Sequence, residues 1–235
     1  MCARVAILLC LLGVACSALA VSITKCKIDD VNCMRLSAQA LVPIVAAGLP
    51  EYDMKPLDPL PISKIDGSSP DLKLIASDVV VTGMKGCEVQ RISRVQSKVD
   101  VGLLCSVKVE GEYEIKGKIL ILPLDGKGKL TVSLTKFLIN VQTVLKEEEL
   151  NGKKHWGISS WDYNYDLKER ANIELTNLFA GSEKLTEAIR ESLGESANEI
   201  VKEVGPPIIK AITGEVIDSI KHFFHHVPVE DLIIE

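Results

Sequence analysis

The chain has 235 residues, a formal net charge of −5 and a 47% hydrophobic composition in which aromatics make up only 4%. The acidic balance leaves no basic stripe to neutralise phosphates, which argues against a nucleic-acid partner. The length suits one large domain or two small ones.

Residues 1–20 read as a signal peptide. Arg4 supplies the positive start, Val5 to Val14 the apolar core, and Ala18-Leu19-Ala20 a small-residue cleavage site. A lipoprotein signal ending at Cys16 is the rival reading, and Gly13 speaks against it. Cleavage before Val21 removes Arg4, so the net charge moves from −5 to −6. Cys26, Cys33, Cys87 and Cys105 remain of the seven cysteines. An even number in a secreted chain suggests disulfides. No Asn-x-Ser/Thr sequon is present, so N-glycosylation is not expected.

Asp29 or Asp30 can cap a short helix through Met34, Leu36, Leu41 and Val45, with Gly48 as its stop and Pro43 expected to bend or shorten it. Cys26 and Cys33 bracket its start; a bridge between them closes a small loop and contributes about 2–3 kcal/mol on the chain-entropy model. Next comes LPEYDMKPLDPLPISKID, residues 49–66, in which four prolines alternate with apolar residues. Proline excludes a helix and extends the residue before it. The segment reads as an ordered, extended connector whose apolar residues close one end of the fold.

From Leu72 to about Leu175 the hydrophobic period is two. Val99, Val101, Leu103, Cys105, Val107 and Val109 fall on one face of a strand, the signature of an antiparallel sheet with one buried face. Further strands are expected at 73–82, 87–95, 112–122, 129–145, 155–168 and 170–177, with turn signals at Asp125-Gly126 and Asn151-Gly152. A turn centred on Gln96 sets Cys87 opposite Cys105; a one-residue slip separates them, so a bridge and two buried thiols both stay open. Trp161, Tyr163 and Tyr165 share one face of their strand, with Trp156 on the other. They read as core packing or as a wall whose hydroxyls orient a ligand.

After Phe179 the period is helical. Leu185, Ile189, Leu193, Ala197, Ile200 and Val204 form a stripe that resumes after Gly205-Pro206-Pro207 with Ile208, Ile212, Val216, Ile220, Phe223 and Val227. Either two helices meet at Gly205 or one kinks there. At about 1.5 Å per residue the span reaches roughly 65 Å, and the short first helix cannot cover it. The sheet must do so. The expected architecture is therefore α+β: a long, curved antiparallel sheet wrapped around a long C-terminal helix, with a short N-terminal helix, in one domain over residues 21–235.

Four segments, in order, carry a family resemblance. LPEYDMKPLDPLPISKID with Cys26 and Cys33 upstream, ILPLDGKGKLTVSL at 121–134, NLFAGSEKLTEAI at 177–189 and HHVPVEDLI at 225–233 resemble landmarks of the insect takeout and juvenile hormone-binding protein family. The resemblance implies a sheet wrapped around a helix, an elongated apolar tunnel between them, and a secreted carrier of small lipophilic molecules. It also implies links to hormone transport, feeding, circadian behaviour and chemosensory tissue. The dedicated hormone carriers of that family have a second disulfide joining a late strand to the C-terminal helix. No cysteine follows Cys105 here, which favours the takeout branch.

No Gly-x-Ser-x-Gly elbow, dinucleotide fingerprint, Walker loop or His-Glu-x-x-His occurs, so no enzyme activity and no cofactor are expected. His222, His225 and His226 share a helix face, but no acidic or cysteine ligand accompanies them and no metal is expected. Glu147-Glu148-Glu149 reads as a solvated hairpin end. The expected function is that of a secreted, extracellular carrier for a small lipophilic ligand such as a terpenoid or fatty acid. Its expected contacts are Val101, Leu103, Leu134, Trp161, Tyr163, Ile189, Leu193, Ile200, Val204, Ile208 and Val216. No stable membrane anchor is expected, and ligand release is expected at a membrane or receptor. The alternative is a secreted signalling protein with a packed core and no physiological ligand.

Overall fold

In the computed structural model, which describes residues 23–179 and 183–234, two very long strands form the spine of a single seven-stranded antiparallel sheet. They are β5 (Lys98–Ile119) and β6 (Leu122–Leu150). The proposed signal peptide lies outside the described residues. At about 3.3 Å per residue β5 spans roughly 70 Å. One side of β5 is covered by β3 (Leu72–Thr82) at its C-terminal half and by β4 (Glu88–Val95) at its N-terminal half. The far side of β6 is shared in the same way by β7 (Lys153–Leu167) and β8 (Asn172–Leu175). β2 (Leu60–Asp66) completes the sheet against β3.

The sheet is curved by extra residues in four of its strands. β3, β4, β6 and β7 each carry one more residue than the partner they face, between Ser77 and Val80, Val89 and Arg91, Leu134 and Phe137, and Ile158 and Ser160. β5 carries none. Each bulge bends its strand and increases the local twist.

Three expectations about the strands are corrected. The segments read as 99–109 and 112–122 are one strand. Gly111, between them, faces the β3 bulge, where a Cβ would lie 2.9 Å from the Ser77 carbonyl oxygen. Asp125-Gly126 is not a turn; the chain reverses at Leu120-Ile121 instead. Gly126 and Gly128 lie within β6 because residues 176–178 cross directly over them, and a Cβ would meet the Leu178 and Thr176 carbonyl oxygens at 2.5 and 2.3 Å. The proline segment is not all connector. Its second half is β2, an edge strand, where Pro61 does not interrupt an inner ladder. Asn151-Gly152 does form the β6–β7 turn, both residues having positive φ.

The first helix, α1 (Val31–Ala47), starts at Asp30, whose carboxylate accepts from the Cys33 amide at 2.9 Å, and stops at Gly48. Pro43 is accommodated inside it without ending it. Cys33 is bridged to Cys26, which fixes the helix start. Gln39 docks the helix on the free edge of β4: its side-chain oxygen accepts from Val89 N at 2.6 Å and its amide donates to Cys87 O at 3.1 Å. A side chain thus satisfies backbone groups that an edge strand leaves unpaired.

The C-terminal helical region divides into α2 (Glu183–Glu195) and α3 (Ala197–His226). The break is at Ser196 and not, as the stripe suggests, at Gly205; Gly205-Pro206-Pro207 lie inside α3. Two tyrosines of β7 hold this part of the helix. Tyr165 donates to Val201 O at 3.1 Å and Tyr163 to Pro206 O at 2.6 Å. Gly205 faces them: a Cβ there would stand 3.7 Å from the Tyr165 hydroxyl. Leu49, Met54, Leu57, Leu60 and Ile65 of the proline segment pack with Phe223 and Val227 near the end of α3. Past α3, β9 (Ile233–Ile234) pairs in parallel with β1 (Cys26–Lys27), joining the two ends of the described chain.

Candidate functional site

Along its length α3 does not fill the concave face of the sheet. Ile208, Ile209, Ile212, Thr213, Val216, Ile217 and Ile220 of α3 line a cavity of about 520 Å³; Ile209, Thr213 and Ile217 are buried, and Ile208, Ile212, Val216 and Ile220 are only partly covered by protein. The opposite wall comes from the sheet. Every second residue of β5 from Val99 to Val109 lines it, as the alternation predicts, and α1 contributes Met34, Leu41 and Val45. Ile28 is both a lining residue and 44% exposed, so the wall reaches the surface beside α1.

The lining is aliphatic almost throughout. Six lining residues carry a hydroxyl or charged group: Thr24, Ser37, Arg94, Tyr113, Thr143 and Thr213. Four of the hydroxyls donate to backbone carbonyls: Ser37 to Thr24, Tyr113 to Thr176, Thr143 to Val99 and Thr213 to Ile209. Burial pushes the Tyr113 phenol up to about 12 and raises those of Tyr163 and Tyr165. Arg94 differs. Its Nε donates to Gln96 O at 3.0 Å and its guanidinium lies 4.3 Å from the centre of the Trp156 ring. Burial lowers its proton affinity, opposed by the nearby Glu147.

The bulges decide which side chains face inward. In β4, the extra residue at Gln90 brings Cys87 directly opposite Cys105, and the two are bridged. In β7, the extra residue at Ser159 rotates the earlier half of the strand by one position. Trp156 therefore joins Trp161 and Tyr163 on the concave face, where strict alternation sets it outside. Trp156 lines the cavity and meets Phe224 edge-on at 5.7 Å.

Of the three histidines of α3, His222 and His225 are exposed and His226 is used in packing. His226 stacks on Tyr52 at 5.2 Å and its Nδ1 lies 2.9 Å from the His222 carbonyl oxygen. Among the described residues, no group of three or more His, Cys, Asp or Glu is placed to hold a metal ion. No helix among them is long and apolar enough to cross a membrane.

This geometry can be set against known proteins. The family model described as haemolymph juvenile hormone binding protein (JHBP) matches residues 5–234. The chain belongs to this family. Takeout 1 of Epiphyas postvittana has the same fold, with a TM-score of 0.87 at 25% identity over 91% of this chain and 100% of that one. The circadian clock-controlled protein daywake of Drosophila yakuba is 24% identical over 228 residues, covering 88% of this chain and 85% of daywake. The juvenile hormone-binding protein of Manduca sexta is 24% identical over 188 residues, 79% of this chain and 71% of that protein.

Within this JHBP-family fold the residues singled out from sequence fall into two groups. Val101, Leu103, Leu134, Leu193, Ile200, Val204, Ile208 and Val216 line the cavity. Ile189 is buried in the core beyond the cavity wall, and Trp161 and Tyr163 pack beside it, the Tyr163 hydroxyl being committed to Pro206 O. Sequence reasoning missed Arg94, Trp156 and the α1 residues. Trp156 is brought inward by a bulge that leaves no mark in composition, and Arg94 by the Val95–Lys98 hairpin turn, which sets it opposite Val99. The apolar positions of α1 were visible, but nothing in them says which strand edge the helix covers.

Proposed function

We propose that this protein is a secreted, extracellular carrier that holds a long, mostly apolar small molecule, a terpenoid such as juvenile hormone, a fatty acid or a similar compound, in an elongated tunnel under α3. The observation that carries this reading is the cavity of about 520 Å³ with its aliphatic wall. That volume lies within the range of roughly 300–1,000 Å³ of ligand pockets. Each buried CH₂ gains about 0.8 kcal/mol on transfer from water, so a ten-carbon chain gains roughly 8 kcal/mol before ordering costs. The name of the Manduca sexta relative supports the same ligand class.

The contacts we propose are Val101, Leu103, Leu134, Leu193, Ile200, Val204, Ile208 and Val216, with Ile189, Trp161 and Tyr163 supporting the wall from behind. The protein acts by binding and not by catalysis: the wall hydroxyls of Ser37, Tyr113, Thr143 and Thr213 are spent on backbone carbonyls. Release of the ligand is assigned to a membrane or receptor encounter. The rival reading, a signalling protein with a packed core, has no use for such a space.

The test is extraction of the purified protein with organic solvent, mass spectrometry of the extract, and titration with an apolar fluorescent probe. A stoichiometric lipid, or a probe displaced by lipids, is expected. Ile212→Trp, which fills the cavity from its partly covered helical side, is expected to weaken probe binding at least tenfold while the protein keeps a cooperative melt. No extracted lipid together with no probe binding would overturn the carrier reading.

A further inference from the structure

Among the described residues, one place in the cavity wall holds buried donors that lack a hydrogen-bond partner. Arg94, half-buried near the end of β4, and Trp156, buried on β7, both line it. Arg94 Nη1 and Trp156 Nε1 are buried donors without a hydrogen-bond partner among the described residues. The two groups adjoin, the guanidinium carbon lying 4.3 Å from the indole centre. Glu147, whose charge acts on Arg94, lies cross-strand from Trp156 and pairs with Lys154 at 3.5 Å. No ion pair joins Glu147 to Arg94 among the described residues. Leaving buried N–H groups unmade is costly.

We propose that Arg94, with Trp156 beside it, anchors the head group of the ligand and selects molecules that end in a carboxylate. This rests on the carrier reading above. Both side chains donate and neither accepts. An alcohol head, which must also place its own proton, finds no acceptor on them. An ester carbonyl accepts but carries no charge. A carboxylate only accepts, is charged, and matches the planar fork of a guanidinium. Stacking on the indole holds that fork in place. The apolar tail then runs from Arg94 along the partly covered side of α3. Arg94 is thus a specificity residue, while affinity for the tail belongs to the aliphatic wall.

The experiment measures displacement of N-phenyl-1-naphthylamine by hexadecanoic acid, methyl hexadecanoate and hexadecan-1-ol at about pH 8, where the acid is ionised. Wild type, Arg94→Met, Arg94→Lys and Trp156→Phe are compared. In wild type the acid is expected to displace the probe at roughly one tenth of the ester concentration or less, the scale of one charge-assisted hydrogen bond. Arg94→Met is expected to abolish that preference by weakening the acid alone, Arg94→Lys to keep part of it, and Trp156→Phe to reduce it. An acid bound no more tightly than the ester in wild type, or an unchanged preference in Arg94→Met, overturns the anchor while leaving the carrier reading intact. A wild-type protein that binds neither probe nor any of the three lipids overturns both. Should Arg94→Met lose its cooperative melt, the ranking in wild type and in Arg94→Lys decides.

Discussion

At the scale of single residues, two positions make the packing testable. Tyr113 donates to Thr176 O at 2.8 Å and its phenol is pushed up to about 12 by burial, against about 10 in an unfolded chain. A raised value in the folded state favours the neutral phenol. Its contribution to stability is therefore complete below about pH 10 and is lost as pH climbs through about 12. The urea midpoint is expected to fall more steeply between about pH 10 and pH 12 in wild type than in Tyr113→Phe, which at neutral pH costs about 1 kcal/mol for its lost hydrogen bond. Gly126 makes the second case. Alanine there must push back the Leu178 carbonyl oxygen, 2.5 Å from its Cβ. Gly126→Ala is expected to destabilise by about 1–3 kcal/mol, read as a fall in melting temperature of roughly 2–4 °C for each kcal/mol. The alternation of β5 was legible in the sequence because that strand has no bulge. The inward turn of Trp156 was not, because one extra residue at Ser159 exchanges the faces of everything before it.

At the scale of elements, α1 is held to the sheet edge by a side chain acting as a strand would. Gln39→Ala removes both bonds to β4 and leaves Val89 N–H and Cys87 C=O without Gln39. The expected cost is about 1–3 kcal/mol, accompanied by faster hydrogen exchange at the Val89 amide; unchanged exchange there would show that α1 does not depend on this contact. The strand alternation and the long helical stripe could be read in advance because their periods persist over many residues. Element ends could not. Asp125-Gly126 has the composition of a turn, yet its glycine serves the close passage of Leu178. Leu120-Ile121 has no such composition and makes the turn. β2 was concealed by prolines, which an edge strand tolerates because only one of its sides needs pairing. Gly205-Pro206-Pro207 reads as a break in isolation, but the hydroxyls of Tyr163 and Tyr165 fasten α3 across it.

At the scale of the molecule, the helix and the curved sheet enclose space instead of excluding it, so stability and binding are linked. A ligand held only by the folded form at about one hundred times its dissociation constant adds about 2.7 kcal/mol. For a chain of this length that corresponds to a rise in melting temperature of roughly 5–10 °C. The rise is expected for wild type with hexadecanoic acid and to shrink in Ile212→Trp; scanning fluorimetry checks both. The pairing of β1 with β9 closes the enclosure between parts of the sequence more than 200 residues apart. Ile233 at one extremity and Cys26 at the other are register partners and both belong to its lining. Without either of these partners the vessel lacks a stave, and its rim stays open.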